Sequence, residues 1–148
     1  MTEITILIVV LIVAAAIGLF LQSRDGRARP TATAATDSAR TELLTAAGVG
    51  VAGPAVLHFS AEWCGPCAAV RRVVSGVAAD LATSPQPPRD IEVDIDAEPA
   101  LARELNVLSL PTTFVFDAEG RERFRISGVP KSGDLRSALA PLTAGDQG

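Results

Sequence analysis

Residues 55–67 read AVLHFSAEWCGPC, an apolar run followed closely by two cysteines with two residues between them. These cysteines, Cys64 and Cys67, are the only two in the chain. A pair with this spacing brings two thiols within reach of each other, so one can attack a disulfide and the other can resolve the mixed disulfide that forms. The sequence therefore predicts a redox site in which the thiols carry the electrons, and it implies no metal, flavin or nucleotide cofactor.

The residues on either side of the cysteine pair predict a strand followed by a helix. Ala55 to Ser60 is a mostly apolar run of strand length, and its even-numbered positions share one face. From Cys64 onward, apolar residues recur at helical spacing as far as Leu81. The amino terminus of a helix carries unpaired N–H groups and a partial positive charge, which favour thiolate over thiol. Cys64 is therefore expected to be activated by a helix that begins at it.

The rest of the chain predicts further strands and helices. The expected elements are a helix from 37 or 38 to 47, a strand over 91–95, a helix from 96 to 105, strands over 112–116 and 121–127, and a helix from 132. Asp96 and Ser132 are the expected amino-terminal caps, and Asn106 is the expected carboxyl-terminal stop. Strands that alternate with helices and end in a hairpin and a helix indicate an α/β fold, a mixed central sheet with helices on both faces.

The N-terminal segment differs from the rest of the chain. Ile4 to Leu21 is a run of 18 uncharged residues, about 27 Å long as a helix, which is enough to cross a hydrocarbon core. A cleaved signal peptide normally begins with a basic region, whereas Met1–Glu3 carries an acid and no basic side chain. The expected organisation is a transmembrane helix over 4–21, a flexible linker over 22–36, one domain over 37–143 and a frayed C-terminus over 144–148.

The charges that flank the uncharged run predict its orientation. Arg24, Arg27 and Arg29 follow the run, and only the α-amino group precedes it as a positive charge. Because positive residues stay on the cytoplasmic side of a membrane, the domain is expected in the cytoplasm. An extracytoplasmic domain is the alternative.

The composition argues against two other classes of function. A formal net charge of −4 provides no clustered basic surface of the kind that binds nucleic-acid phosphates. A zinc site would need more cysteine or histidine ligands than the pair supplies, and His58 is the only histidine. We therefore expect no nucleic-acid partner and no metal ligand set.

Residues 54–142 closely resemble the thioredoxin family. The motifs that carry the resemblance are AEWCGPC after an apolar strand, EVDIDAEP, LPTTFVF, a DAEG turn and an isolated Gly128. The resemblance implies a thioredoxin-like fold, with Cys64 as the exposed nucleophile and Cys67 as the resolving thiol. It also implies that Trp63, Gly65 and Pro66 shape the active-site loop.

The resemblance assigns three more residues to substrate binding. Pro111 would be a cis-proline that faces the disulfide, and the Leu110 backbone would pair with an extended substrate. Gly128 would line the substrate groove. Without the surrounding motif, Pro111 reads as a residue at the start of a strand, and Gly128 reads equally well as a loop glycine with positive φ.

His58 and Glu92 depart from the family pattern. The family usually has a buried aspartate at the first position and a lysine at the second. We expect His58 and Glu92 to form a pair on neighbouring strands that keeps the site neutral and shuttles the proton that Cys67 must lose. The alternative is a core histidine with satisfied hydrogen bonds and a glutamate that points into solvent.

Taken together, these residues predict a membrane-tethered thiol–disulfide oxidoreductase, a thioredoxin-like protein-disulfide reductase. Its expected partners are protein disulfides and an electron donor, either a thioredoxin reductase or a membrane thiol carrier. One alternative is an extracytoplasmic protein that acts on exported proteins or in cytochrome maturation. Another is a tethered binding module without catalysis. The sequence does not indicate the oligomeric state.

Overall fold

The computed structural model describes residues 2–24, 29–30 and 38–145. Its first helix, α1, spans Thr2–Arg24 and so contains the helix predicted over 4–21. The large apolar side chains of α1 between Ile4 and Ile17 are exposed. Among the described residues, no helix is both long enough and apolar enough to cross a membrane. The transmembrane span predicted for this helix is therefore not supported by the structure.

A mixed five-stranded sheet forms the centre of the fold, as the sequence predicted. Its strands are β1 (Arg29–Pro30), β2 (Ala55–Ser60), β3 (Arg89–Asp94), β4 (Thr112–Phe116) and β5 (Glu122–Ser127). The order across the sheet is β1-β5-β4-β2-β3. Strands β2 and β3 are parallel, and the other neighbouring pairs are antiparallel.

Strand β1 lies within the segment predicted as a flexible linker over 22–36. Arg29 pairs with Arg125 and Pro30 with Phe124, and Gln22 to Arg24 belong to α1. A proline fits this strand because β1 is at the edge of the sheet, where a missing N–H removes little pairing. The linker prediction is wrong for these residues, and the remainder of that segment lies outside the described residues.

Helices cover both faces of the sheet, as predicted. They are α2 (Ser38–Ala46), α3 (Cys67–Asp80), α4 (Pro99–Glu104) and α5 (Ser132–Thr143). On one face, α2 and α4 pack on Leu57, Phe59, Phe114 and Phe116. On the other face, α3 and α5 pack on Val56, Val115 and Ile126.

Three predicted helix starts are wrong, and the geometry gives a reason for two of them. Helix α3 begins at Cys67 and not at Cys64, because Cys64 and the following two residues form a turn. Glu98, not Asp96, precedes α4, because the Asp96 carboxylate accepts a hydrogen bond from Trp63 instead. Helix α5 starts after Lys131, so Ser132 is its first residue and not its cap.

The predicted end of α4 is confirmed. Leu105 closes the helix, and Asn106 follows with a φ of 50°. This left-handed conformation ends a helix and is tolerated by asparagine. The loop from 106 to 111 therefore leaves α4 in a direction fixed by this residue.

The strand register brings four chain segments to one end of the sheet. Because β2 and β3 are parallel, with Ser60 opposite Asp94, both strands end there. Thr112, the first residue of β4, lies opposite Phe59 in β2 and Ser127 in β5. The segments that follow β2, β3 and β5 and the segment that precedes β4 therefore meet at this end, which we call the carboxyl end of β2.

Candidate active site

The two cysteines lie at the carboxyl end of β2 and form a disulfide. Their Cα atoms are 5.5 Å apart. Cys64 is half-buried, whereas only 1% of Cys67 is exposed. An incoming sulfur atom can therefore approach Cys64 and not Cys67, which fits the roles that the family resemblance implies.

A turn between β2 and α3 holds the pair in place. The Cys64 N–H donates to the Ala61 carbonyl at 3.1 Å, and the Cys67 N–H donates to the Cys64 carbonyl at 3.3 Å. Pro66, which has no N–H, is the residue before the first turn of α3. The amino terminus of α3 lies beside the cysteines, and its partial positive charge favours negative charge on sulfur.

Gly65 and Pro66 are exposed in this turn. A Cβ atom added to Gly65 would meet nothing within 4 Å. Packing therefore does not require glycine at this position.

The Cys67 sulfur faces the backbone of β2. Its Sγ atom lies 3.8 Å from the Phe59 carbonyl oxygen. In the disulfide this sulfur has no proton, but the reduced thiol can donate to the carbonyl. Both this contact and burial favour the neutral thiol, so Cys67 needs a proton acceptor before it can act as a nucleophile.

Trp63 is 70% exposed and is fixed at the surface by a hydrogen bond. Its Nε1–H donates to Asp96 Oδ2 at 3.0 Å. The Asp96 N–H in turn donates to Asp94 Oδ1 at 2.9 Å. The sequence analysis placed Trp63 in the active-site loop but missed that Asp96 orients it.

Leu110, Pro111 and Gly128 lie together at the same end of the sheet. The Leu110–Pro111 peptide is cis, as predicted. The Gly128 N–H donates to the Pro111 carbonyl at 2.9 Å. Gly128 has a φ of 82°, so it is also the loop glycine with positive φ of the alternative interpretation.

The predicted pair between His58 and Glu92 is wrong. His58 Nε2 lies 3.0 Å from Asp90 Oδ1, and Glu92 accepts a hydrogen bond from Arg71 Nε at 2.7 Å. Glu92 does lie opposite His58 in the register. However, Arg71 on α3 binds the Glu92 carboxylate, and His58 instead contacts Asp90, the acid two residues earlier on the same face of β3.

The contact with Asp90 determines which nitrogen of His58 carries a proton. His58 is 2% exposed. A carboxylate only accepts hydrogen bonds, so Nε2 is the protonated nitrogen of the neutral ring and Nδ1 carries the lone pair. Among the described residues, Nδ1 is buried and has no hydrogen-bond partner. Only one of the two ring nitrogens of His58 therefore has a hydrogen-bond partner among the described residues, whereas the alternative interpretation expected partners for both.

Thr113 is a second buried polar residue beside His58. The two residues are directly opposite each other on β4 and β2. Within the part of the chain that the structure describes, Thr113 Oγ1 is also buried without a partner. Two neighbouring strands therefore each place a buried polar atom without a partner among the described residues on the face that α3 covers, a feature that the sequence analysis missed.

The carboxyl group of Glu92 has a lowered pKa. Partial burial raises this pKa, but hydrogen bonds from Ser60 and Arg71 and the positive charges of Arg71 and protonated His58 outweigh it. Glu92 is therefore ionised at neutral pH and forms an ion pair with Arg71 over the edge of the sheet.

No metal site is apparent in the described ranges. Over 2–24, 29–30 and 38–145, no group of three or more histidine, cysteine, aspartate or glutamate side chains is arranged to hold a metal ion. The two cysteines are joined to each other.

Comparison with known proteins identifies similar chains. A family model described as thioredoxin matches residues 43–141, from within α2 to within α5. A thioredoxin from Mycolicibacterium smegmatis is 37% identical over 110 residues, which cover 74% of this chain and 92% of that protein. A thioredoxin from Porphyra purpurea is 35% identical over 86 residues, covering 58% of this chain and 77% of that protein. A solved mutant thioredoxin from Halobacterium salinarum NRC-1 has a TM-score of 0.54 and 25% identity, covering 62% of this chain and 76% of that chain.

Proposed function

The chain belongs to the thioredoxin family, and from this premise we propose that it is a membrane-tethered thiol–disulfide oxidoreductase that acts on protein disulfides. Thioredoxins are disulfide oxidoreductases whose electron carrier is a cysteine pair, and this chain is one of them. The observation that carries the proposal is the disulfide between half-buried Cys64 and buried Cys67 at the amino terminus of α3.

The exchange takes place in two displacements. In the reduced protein, the Cys64 thiolate attacks one sulfur of a substrate disulfide, and the other substrate sulfur leaves with the electron pair. Cys67 then loses its proton and attacks Cys64 Sγ, which forms the Cys64–Cys67 disulfide and releases the second substrate sulfur as a thiolate. The substrate gains two electrons and the protein loses two, so an external donor must reduce the pair again.

His58 is the proposed acceptor for the Cys67 proton. It follows Val56 on the face of β2 that α3 covers and precedes Phe59, whose carbonyl faces Cys67 Sγ. Its Nδ1 lone pair has no partner among the described residues, and Asp90 stabilises the protonated ring through Nε2. The other charged groups near His58 are Glu92 on β3 and Arg71 on α3, which neutralise each other.

The dependence of the rate on pH tests this role. The second displacement should be faster at alkaline than at acid pH, because only the neutral ring of His58 accepts a proton. His58→Leu should lose this pH dependence and slow the step about 100-fold, as measured by release of substrate from a preformed mixed disulfide. His58→Asp restores an acceptor and should recover part of the rate. An unchanged profile in both variants contradicts the role.

The proposed tether is α1. Its support is the uncharged run of the sequence over 4–21 and the exposure of the apolar side chains of α1. The side chains of 19–21, at the end of this run, lie outside the described residues. Because arginines follow the run and positive residues stay on the cytoplasmic side, we propose that the domain is cytoplasmic. The proposed electron donor is then a thioredoxin reductase. An extracytoplasmic domain supplied by a membrane thiol carrier is the alternative.

Thiol labelling in intact cells tests tether and side together. The chain should sediment with membranes and resist extraction by alkaline carbonate. A membrane-impermeant maleimide should label the cysteines only after lysis. Labelling before lysis contradicts the cytoplasmic side, and recovery of the chain in the soluble fraction contradicts the tether.

Single cysteine variants test the catalytic role. With insulin as substrate and dithiothreitol as donor, Cys64→Ser should lose reduction above background. Cys67→Ser, reduced and then freed of dithiothreitol before insulin is added, should instead accumulate a mixed disulfide with insulin, seen on a non-reducing gel. A binding module without catalysis predicts that wild type and Cys64→Ser reduce insulin equally slowly.

A further inference from the structure

Leu108 is an exposed apolar residue close to the active site. It is 86% exposed, compared with 70% for Trp63 and 60% for Val51, the other exposed large apolar side chains in the described range 38–145. Leu108 lies on the loop between α4 and β4, two residues before Leu110. Because β4 starts at the carboxyl end of β2, this loop and the disulfide lie at the same end of the sheet.

The loop around Leu108 is fixed on both sides. The Val107 N–H donates to the Ala102 carbonyl at 2.9 Å, and Thr112 Oγ1 donates to the Ser109 carbonyl at 2.7 Å. Val107 and Leu110 pack against the core beneath α4. Leu108 alone among the three apolar residues of the loop points into solvent.

Arg125 of β5 fixes the start of this loop. Its Nη2 donates to the Leu105 carbonyl at 2.8 Å and its Nη1 to the Asn106 carbonyl at 3.4 Å. Its guanidinium carbon lies 4.6 Å from the centre of the Phe114 ring. Glu122 accepts a hydrogen bond from Arg125 at 3.2 Å. Leu108 thus lies on a loop that hydrogen bonds anchor at both ends.

We propose that Leu108 is a specificity residue, a preformed contact for an apolar side chain next to the target cysteine of an extended substrate. Its exposure is unfavourable in the free protein and is relieved when an apolar side chain covers it. Because the loop is already ordered, binding there requires little further loss of conformational entropy. The inference rests on the proposed function and adds the chemistry of the substrate.

Two peptides that differ at one position test the inference. Each carries an intramolecular disulfide, with leucine or aspartate beside the attacked cysteine. Wild type should have a higher kcat/KM for the leucine peptide than for the aspartate peptide. Leu108→Ser should lower kcat/KM for the leucine peptide about tenfold, the scale of one apolar contact, mainly through KM. Leu108→Met should stay within about twofold of wild type.

Two controls separate docking from chemistry and folding. The small disulfide dithiobis(nitrobenzoate) has no peptide side chain, so Leu108→Ser should reduce it at the wild-type rate. Val51→Ser removes another exposed apolar side chain, which lies on the loop before β2 at the opposite end of the sheet. This variant should have the wild-type kcat/KM for both peptides.

The possible failures are distinguishable. If wild type reduces neither peptide, the proposed function fails. If wild type reduces both peptides and Leu108→Ser matches it, only the role of Leu108 fails. Equal losses by Leu108→Ser on the peptide and on the small disulfide would also overturn that role.

Discussion

The two faces of the sheet are filled by different kinds of side chain. Beneath α2 and α4 the core is apolar, and the Phe59 and Phe114 rings meet edge to face at a centroid distance of 6.0 Å. Beneath α3 and α5, the apolar residues give way near the disulfide to His58, Ser60 and Thr113, all buried. One strand supplies both faces because neighbouring side chains alternate. The face beneath α2 and α4, which we call the apolar face, therefore contributes packing alone, whereas the other, which we call the polar face, also holds buried polar side chains.

The largest effect on stability should come from the apolar face. Phe114→Ala removes a fully buried ring that also contacts Arg125, so the free energy of unfolding should fall by about 4 kcal/mol. The rate of disulfide reduction per folded molecule should change little. Urea unfolding and insulin reduction measure the two quantities. Val115→Ala, the next residue but on the other face, is the control and should cost about 2 kcal/mol.

A smaller effect of opposite sign is expected on the polar face. Thr113→Val removes a buried hydroxyl that has no partner among the described residues, so the free energy of unfolding should rise by about 1 kcal/mol. Thermal and urea unfolding of the variant provide the measurement. Thr112→Val is the matched control and should be destabilising, because the Thr112 hydroxyl donates to Ser109. A loss of stability in Thr113→Val would show that the hydroxyl has a partner.

The smallest effect is expected at the rim of the polar face. The pKa of Glu92 is raised by partial burial but lowered overall by Ser60 and Arg71. Its ionised form therefore stabilises the fold above the ordinary carboxyl pKa, and this contribution is lost as pH falls through the lowered value. Glu92→Gln should reduce stability at pH 7 by about 0.5 kcal/mol, since the pair is partly exposed to solvent. The difference should vanish in acid. Measuring the free energy of unfolding at several pH values tests this, with Glu62→Gln, a change at an exposed glutamate, as the control. A difference that persisted in acid would contradict the prediction.

The sequence predicted those features that depend on local pattern. Alternation of Ile91, Val93 and Ile95 with acids identified β3, and helical spacing after the cysteines identified α3. The stop at Asn106 also agrees with the structure. Each of these features follows from residues close together in the chain, whereas the cis peptide before Pro111 was implied by the family resemblance alone.

The remaining features depend on contacts between distant segments. No residue near Asp96 in the sequence indicates that its carboxylate accepts a hydrogen bond from Trp63. The cap of α4 was therefore predicted at Asp96 and not at Glu98. The pairing of His58 with Asp90 depends on Arg71 reaching Glu92 from another element. Strand β1 has only two residues, which is too short for any periodic pattern, and it forms because β5 offers an edge.

The position of β1 at the edge of the sheet has a mechanical consequence. Tension applied through α1 reaches the domain first at β1, which is held to β5 by only two residue pairs. β1 and β3 are the two outermost strands of the sheet, so β5 and β4 lie between this attachment point and β2, which leads into the cysteines. A pull on the chain before β1 would separate β1 from β5 before it strained β2. The cysteines are therefore mechanically separated from movement of the N-terminal segment.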